Sequence, residues 1–448
     1  MTRILPGVEI EVIKEIVPQQ LNPSGVVGMI GMTRKGPLME PVHVGTYKEF
    51  TEKFGSDPSL SLTQDAKSAF QNGVYEIVVV RVQGAGGSKA SQVLKDKKDK
   101  DAVKLEAKSE GEFGNEISVK IEDADNKTTI SITDGSTVEV YDNVSLDAKS
   151  EKYIVEHLNK NSTIVEAFDV GKAKAEDVLK SGEYDLSGGS SGKQPSKAEY
   201  EKALEKLESE PDVDMVLACG IWDPAIHAII DAHCKNMSKD AKNRIGIGTV
   251  SEGEQIKDIV KRTSVLSSDR FVIVAPHGCA AAVAGLISNL NYYESPTFKA
   301  VTGMADIEAH YSPAELSELL KAGILALEVQ KGRGIVVEKG ISTSKEQISV
   351  TRVADHAVRG VKNISDNFIG TLNSPTGRSA LKEKITEFFI RMENEGSIVP
   401  STDLKEPAFI VDVYSSELDF AQGIVRVDIA VRPVRAIDYI YATILVEA

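Results

Sequence analysis

Residues 271–290 read Phe-Val-Ile-Val-Ala-Pro-His-Gly-Cys-Ala-Ala-Ala-Val-Ala-Gly-Leu-Ile-Ser-Asn-Leu, with no formal charge apart from one that His277 can carry. The length suits a membrane span, but Pro276 and Gly278 interrupt the run, and His277 and Asn289 would sit unsatisfied in hydrocarbon. The better reading is a buried β-branched strand, a turn and a helix of small residues. Two runs upstream, Val213 to Ala218 and Ile245 to Thr249, repeat the short apolar strand, and helices over Ala225 to Lys235 and Pro313 to Ala322 alternate with them. Strands alternating with helices predict an α/β layer in the middle of the chain.

Toward the N-terminus, Val26 to Met32 is an apolar strand that ends in the turn Lys35-Gly36-Pro37. A short polar-apolar segment runs from Tyr47 to Phe54 and closes on Gly55. Leu62 to Phe70 reads as a helix, and Tyr75 to Val82 is a continuous β-branched run suited to a central strand. The charged stretch Lys95 to Asp101 is an exposed connection. Beyond it, Val103 to Ala107, Ile117 to Ile121, Thr128 to Ile132 and Thr137 to Val140 are strands separated by turn residues, which predicts an inserted β-rich domain. The loop Ser187-Gly-Gly-Ser-Ser-Gly192 closes it, and Ser196 with Glu199 has the spacing of a capping box.

Toward the C-terminus a strand is expected around Ile348 to Val353, then an amphipathic helix. In that helix Leu381, Ile385, Phe388, Phe389 and Met392 share one face and Gly396 stops it. Val425, Val427, Ile429 and Val431 alternate with charged residues, and Tyr439 to Val446 is β-prone. At the other end Val8, Ile10 and Val12 alternate with Glu9 and Glu11. Both ends thus read as strands, and a terminal strand without a partner is a template for pairing with another chain.

The chain has 448 residues, room for several domains, with 41% hydrophobic and 27% charged residues, the composition of a folded protein. Its net charge of -15 gives no basic field for nucleic acid. Cys219, Cys234 and Cys279 are isolated from one another, which fits a reducing compartment and indicates neither a disulfide framework nor a thiolate zinc site. The first residues hold no apolar stretch of signal-peptide length, so general secretion is not expected.

The motifs that could carry chemistry fail on inspection. Gly188-Gly-Ser190-Ser-Gly192 has the GxSxG form but follows Glu183-Tyr-Asp-Leu-Ser and not an apolar strand. Gly192-Lys193 lacks the hydroxyl residue and the upstream glycine of a P-loop, and Gly332-Arg-Gly334 has Val337 where a dinucleotide fingerprint needs its third glycine. His227, His233 and Cys234 do not have the i, i+4 spacing of a metal pair, and His277 with Cys279 reads as a packed turn. No catalytic, cofactor-binding or metal-binding residues are assigned, and no enzyme activity is expected.

Several ordered segments resemble the sheath proteins of contractile tails of myophages and phage-tail-like particles. They are Pro6-Gly-Val-Glu-Ile, the stretch Gly25 to Pro37, and the pairs Glu49-Phe50 and Phe54-Gly55. Gly111, Phe113, Gly114 and Asn115 are similar to the family's Gly-aromatic-Gly-Asn signature, and Leu186-Ser-Gly-Gly189 with Gly192 follows. Ala284-Gly-Leu-Ile287, Leu320 to Leu325, Val337 to Thr343, Val350-Thr-Arg352 and Asn367-Phe-Ile-Gly370 complete the order.

The resemblance implies a mixed α+β and α/β multidomain fold: an inner α/β sheath core, an inserted β-rich outer domain and strand-forming arms at both ends. The segments are 1–20 as N-terminal arm, 21–94 as first part of the core, 95–190 as outer insertion, 191–339 as α/β middle domain and 340–448 as tube-proximal domain with the terminal arm. Residues 1–90 with 340–448 would face the tube. It further implies a structural subunit that polymerises as stacked rings of six around a tail tube and contracts to drive the tube through a cell envelope. The setting is a virion tail or tail-like particle assembled in the bacterial cytoplasm, whether of a virus, a bacteriocin or an injection system. Partners would be other copies, the tube protein, and baseplate and terminator proteins, with no direct nucleic acid and no membrane insertion. Val8, Ile10, Val12, Tyr439, Tyr441, Ile444 and Val446 would exchange strands between subunits, and Lys382, Lys384, Glu387 and Arg391 would touch the tube. The rival reading, a cytoplasmic α/β enzyme, predicts a convergent polar pocket near the strand ends at Ala218 and Ala275.

Overall fold

A computed structural model describes residues 25–124, 127–171, 174 and 176–442. The described chain is a mixed α/β, multidomain structure that divides into two compact units, one of residues 25–348 with 437–442 and one of 349–436.

The larger unit is organised on a nine-stranded sheet. Its strands are β1 (Val26–Gly31), β2 (Pro41–Val44), β3 (Ile77–Arg81), β4 (Val213–Ala218), β5 (Ile245–Thr249), β6 (Phe271–Ala275), β7 (Ala300–Val301), β8 (Leu325–Gln330) and β9 (Gly334–Val337). They lie in the order β7-β9-β8-β6-β5-β4-β1-β3-β2. β3, β1, β4, β5, β6 and β8 run parallel, β2 and β9 run antiparallel to them at the two edges, and the outermost β7 pairs antiparallel with β9. β1, β3, β5 and β6 are buried along their whole length, which is why they read as unbroken apolar runs and not as alternating ones.

Helices cover both faces. On one side α1 (Tyr47–Phe54), α2 (Ser61–Gln71) and the later α6 (Ala280–Asn289) bury Phe50, Phe54, Leu62, Ala66 and Val283 against Met29, Val79, Leu217 and Val274. On the other, α3 (Lys197–Leu207), α4 (Pro224–Lys239), α5 (Ile256–Val265) and α7 (Pro313–Ala322) pack Tyr200, Ile230, Ile259 and Leu319 onto Ile30, Val80, Val216 and Ile273. α6 is therefore the small-residue helix expected after β6, and among the described residues no helix is long and apolar enough to cross a membrane. Its glycine has a steric reason. A Cβ on Gly285 would lie 2.4 Å from the carbonyl oxygen of Ala69, so the close approach of α6 to α2 excludes a side chain there.

The capping box at Ser196 is present, with the Ser196 N–H donating to the Glu199 carboxylate at 2.8 Å. Segments 21–94 and 191–339, separated in the sequence reading, share this one sheet because β1 pairs with β4 across the intervening insertion. Tyr47–Phe54, read only as a polar-apolar segment, is a helix capped by Thr46.

Between β3 and α3 lie the β-rich sheets expected from the turn spacing. One has three strands (Ser91–Lys95, Asp101–Ala107 and Val165–Asp169) and one has four (Ser118–Ala124, Lys127–Thr133, Val138–Val144 and Gly182–Asp185). They enclose their own core of Leu105, Ile117, Val119, Ile130, Ile132, Leu158 and Val165.

In the second unit the expected strand at 348–353 is instead the start of α8 (Ile348–Asp366). The β-branched Ile348, Val350, Thr351 and Val353 suggested period two. The buried positions Val353, Ala357 and Ile364 recur at helical spacing, and that longer pattern wins. α9 (Pro375–Asn394) buries the foreseen stripe Leu381, Ile385, Phe388, Phe389 and Met392. β10 (Phe409–Tyr414) and β11 (Arg426–Val431) form an antiparallel pair, of which only the second was foreseen. Over the described part of the segment expected to form the terminal strand, residues 434–442 adopt no regular structure in the single chain.

Candidate assembly surfaces and a crevice at the strand ends

Of the residues expected to exchange strands, Val8, Ile10, Val12, Ile444 and Val446 lie outside the described residues. Tyr439 and Tyr441 are 67% and 93% exposed, beside Ile437 and Ile440 at 78% and 84%. Four large side chains in five residues are thus presented to solvent. The origin of this tail is fixed. Asp438 is 3.2 Å from the Lys339 ammonium and accepts from the Gln347 amide at 2.8 Å, and the Lys339 Nζ lies 4.9 Å from the Tyr439 ring centroid. Burial alone would lower the Lys339 ammonium, but its hydrogen bonds to Tyr439 and Asp438 hold it above its ordinary value.

The four residues expected to touch a tube do not form one surface. On α9, Lys384, Glu387 and Arg391 follow at i, i+3 and i+7 along one flank of the buried stripe, and Lys384 pairs with Glu387 at 3.2 Å. Lys382 lies on the other flank and meets Asp412 of β10 at 3.3 Å.

Two of the motifs that carried the family resemblance meet in space. Asn115, in a short turn over Glu112–Glu116, donates from its amide to the Gly189 carbonyl at 2.9 Å and accepts from the Gly189 N–H at 2.8 Å. A Cβ on Gly189 would lie 2.5 Å from the Gly111 carbonyl oxygen, so the loop admits only glycine. The GxSxG-like run therefore closes the inserted layer. Ser190 and Ser191 pair with Gly87 and Ser88, and the Ser190 hydroxyl accepts from the Gly192 N–H at 3.2 Å.

The insertion is tied to the sheet through a basic loop. The buried Arg81 guanidinium donates to the carbonyls of Gly36 at 2.8 Å and Glu110 at 2.6 Å and to Gln83 at 3.1 Å. Burial pulls its pKa down to about 10. Lys35 reaches Asp134 at 2.7 Å, and Arg34 pairs with Glu116. This cluster was not legible in sequence, since Arg81 ends an apolar run and resembles any residue leaving a strand.

The pocket that the enzyme reading predicted exists. A crevice of about 530 Å³ opens beyond the carboxyl ends of the parallel strands, lined among others by Asp65, Gly220, Thr249, His277, Gly278 and Met304. Asp65 accepts from the Gly220 N–H at 3.0 Å, and burial pushes its carboxyl up to about 6. His277 donates from Nδ1 to the Val250 carbonyl at 2.7 Å, which leaves Nε2 as an acceptor. Burial raises the Cys219 thiol well above its ordinary value and Cys279 up to about 12, so neither is a thiolate nucleophile near neutral pH. On α4, His227 faces the Ile221 carbonyl and His233 the Arg244 guanidinium, both serving packing.

Residues 193–343, about a third of the chain and within the larger unit, match the family described as the phage tail sheath protein central domain. The chain is 24% identical over 241 residues to the tail sheath protein of Staphylococcus phage Twort, covering 48% of this chain and 40% of that protein. It is 24% identical over 283 residues to that of Bacillus phage SP01, covering 57% of this chain and 46% of that protein. The matches thus span less than half the length of these relatives. The fold is shared with the sheath tail protein from Listeria innocua, at a TM-score of 0.71 and 16% identity over 93% of both chains. It is shared with the contracted helical sheath of the anti-feeding prophage at 0.61 and 13% over 99% of both. The resemblance to contractile-tail sheath proteins read from the sequence is borne out.

Proposed function

We propose that this chain is a non-enzymatic structural subunit of a contractile sheath, in a phage tail or a phage-like injection system. Copies stack as rings of six around a tail tube, linked by strand exchange through the terminal segments, and meet a baseplate and a terminator at the two ends. The observation that carries this reading is the sheath central-domain match set within a fold shared end to end with sheath subunits. The exposed, unpaired segment 437–442 supports it, because main-chain pairing with a neighbour would supply the edge it lacks. Lys384, Glu387 and Arg391 on one flank of α9 would contact the tube.

Contraction would pass from a metastable extended lattice to a compact one of lower free energy. New subunit contacts supply that difference, so no nucleotide is needed. Arms joined by backbone hydrogen bonds would keep the mesh continuous while the bodies slide. Sedimentation velocity over a range of concentrations tests the assembly step. Self-association that disappears when residues 437–448 are removed is expected, and a concentration-independent monomer in both forms would refute it.

A further inference from the structure

The crevice is not used by the assembly reading, and its position and chemistry are those of a ligand site. From β1 the chain crosses to β3 on one side, whereas β4, β5, β6 and β8 extend on the other. The gap between β1 and β4 is therefore the point where the winding reverses, and ligands of open α/β sheets bind outside the strand ends there. Gly220, Thr249 and His277, which follow or end β4, β5 and β6, all line the crevice.

Its groups are unevenly satisfied. Thr63 and Ser68 are among the lining residues, and their buried hydroxyls have no hydrogen-bond partner among the described residues, which costs stability. The Asp65 carboxyl accepts from the Gly220 N–H and the Cys219 thiol and has His277 near it, which leaves it lone pairs for a further donor, and the His277 Nε2 is a second acceptor where the ring is neutral. These favour an ammonium group. On the adjoining wall, Gly278 and Ala280 lead into α6, a ten-residue helix whose first turn has no side-chain cap, and its free N–H groups favour a carboxylate. Tyr47, Pro58 and Met304 supply apolar lining, and Lys67 is at the exposed rim.

We infer that this crevice binds a free α-amino acid, with its ammonium group toward Asp65 and His277 and its carboxylate toward the first turn of α6. The volume of about 530 Å³ lies within the range of small-molecule sites. Binding there would brace α2 and α6 against the strand ends.

A thermal-shift screen of the full chain with the protein amino acids, followed by calorimetry on the strongest, tests it. The expected result is binding about tenfold tighter than that of the corresponding decarboxylated amine or deaminated acid. Asp65→Asn should weaken it by about tenfold or more. Should that variant misfold, His277→Phe and Thr63→Val, each checked by circular dichroism, must weaken it several-fold. No shift with any amino acid, equal affinity for the amine or the acid, or unchanged affinity in the folded variants would overturn the proposal.

Discussion

Asn115 and Gly189, 74 residues apart in sequence, exchange two hydrogen bonds at 2.8 and 2.9 Å and so join the turn after one strand of the insertion to the loop that leaves it. Asn115→Ala removes both and leaves the Gly189 amide to solvent, which should cost about 1–2 kcal/mol. Gly189→Ala forces a Cβ against the Gly111 carbonyl and should cost more, about 2–4 kcal/mol. Urea denaturation of the two variants checks the order. Equal stabilities would mean that the loop relaxes freely.

Arg81 carries the junction between sheet and insertion. Arg81→Met keeps the stem but strands the Gly36 and Glu110 carbonyls, and a loss of about 2–4 kcal/mol is expected. Faster amide exchange over residues 108–116 and 34–37 would place that loss at the junction.

Asp65 gives the chain a pH signature. Its folded carboxyl lies at about 6, above the unfolded value of 3.8, so the folded state holds the proton more tightly. Stability is full below the unfolded value and falls as pH rises through the folded one. The loss, up to about 3 kcal/mol, builds up between the two values and is complete slightly above pH 6. Melting of wild type and Asp65→Asn between pH 4 and pH 7 isolates it: the difference between the two curves should slope across that window and be flat beyond it.

On α9 the buried and exposed faces should separate cleanly. Phe389, fully buried and stacked on Phe409 at 5.4 Å, should cost about 3–5 kcal/mol as alanine. Charge reversal at Lys384 and Arg391 should change stability by less than about 1 kcal/mol and yet reduce co-sedimentation with tail tubes. Reversal at Lys382, on the opposite flank, should leave tube binding unchanged.

What the sequence disclosed follows from where the signal resides. β4, β5, β6 and α7 were placed to the residue, because a fully buried parallel strand is an unbroken apolar run and Ser312-Pro313 with Gly323 punctuates the helix. Val350 and Thr351 misled because β-branched residues are read as strand over six positions, whereas helical burial needs a longer window to show. The pairing of β1 with β4 spans nearly the whole insertion and leaves no local mark. The crevice was anticipated only as a consequence of strand ends. Asp65 and Thr63 sit on α2, far in sequence from His277, and no spacing rule links them.

The central claim is polymerisation through the terminal segments, and negative-stain electron microscopy tests it most directly. The purified full-length protein would be imaged beside a form lacking residues 1–20 and a form with Tyr439→Asp and Tyr441→Asp. Hollow tubes or stacked rings from the first, lost in the other two, are the predicted result. Uniform monomeric particles from all three, across salt and concentration, would contradict it.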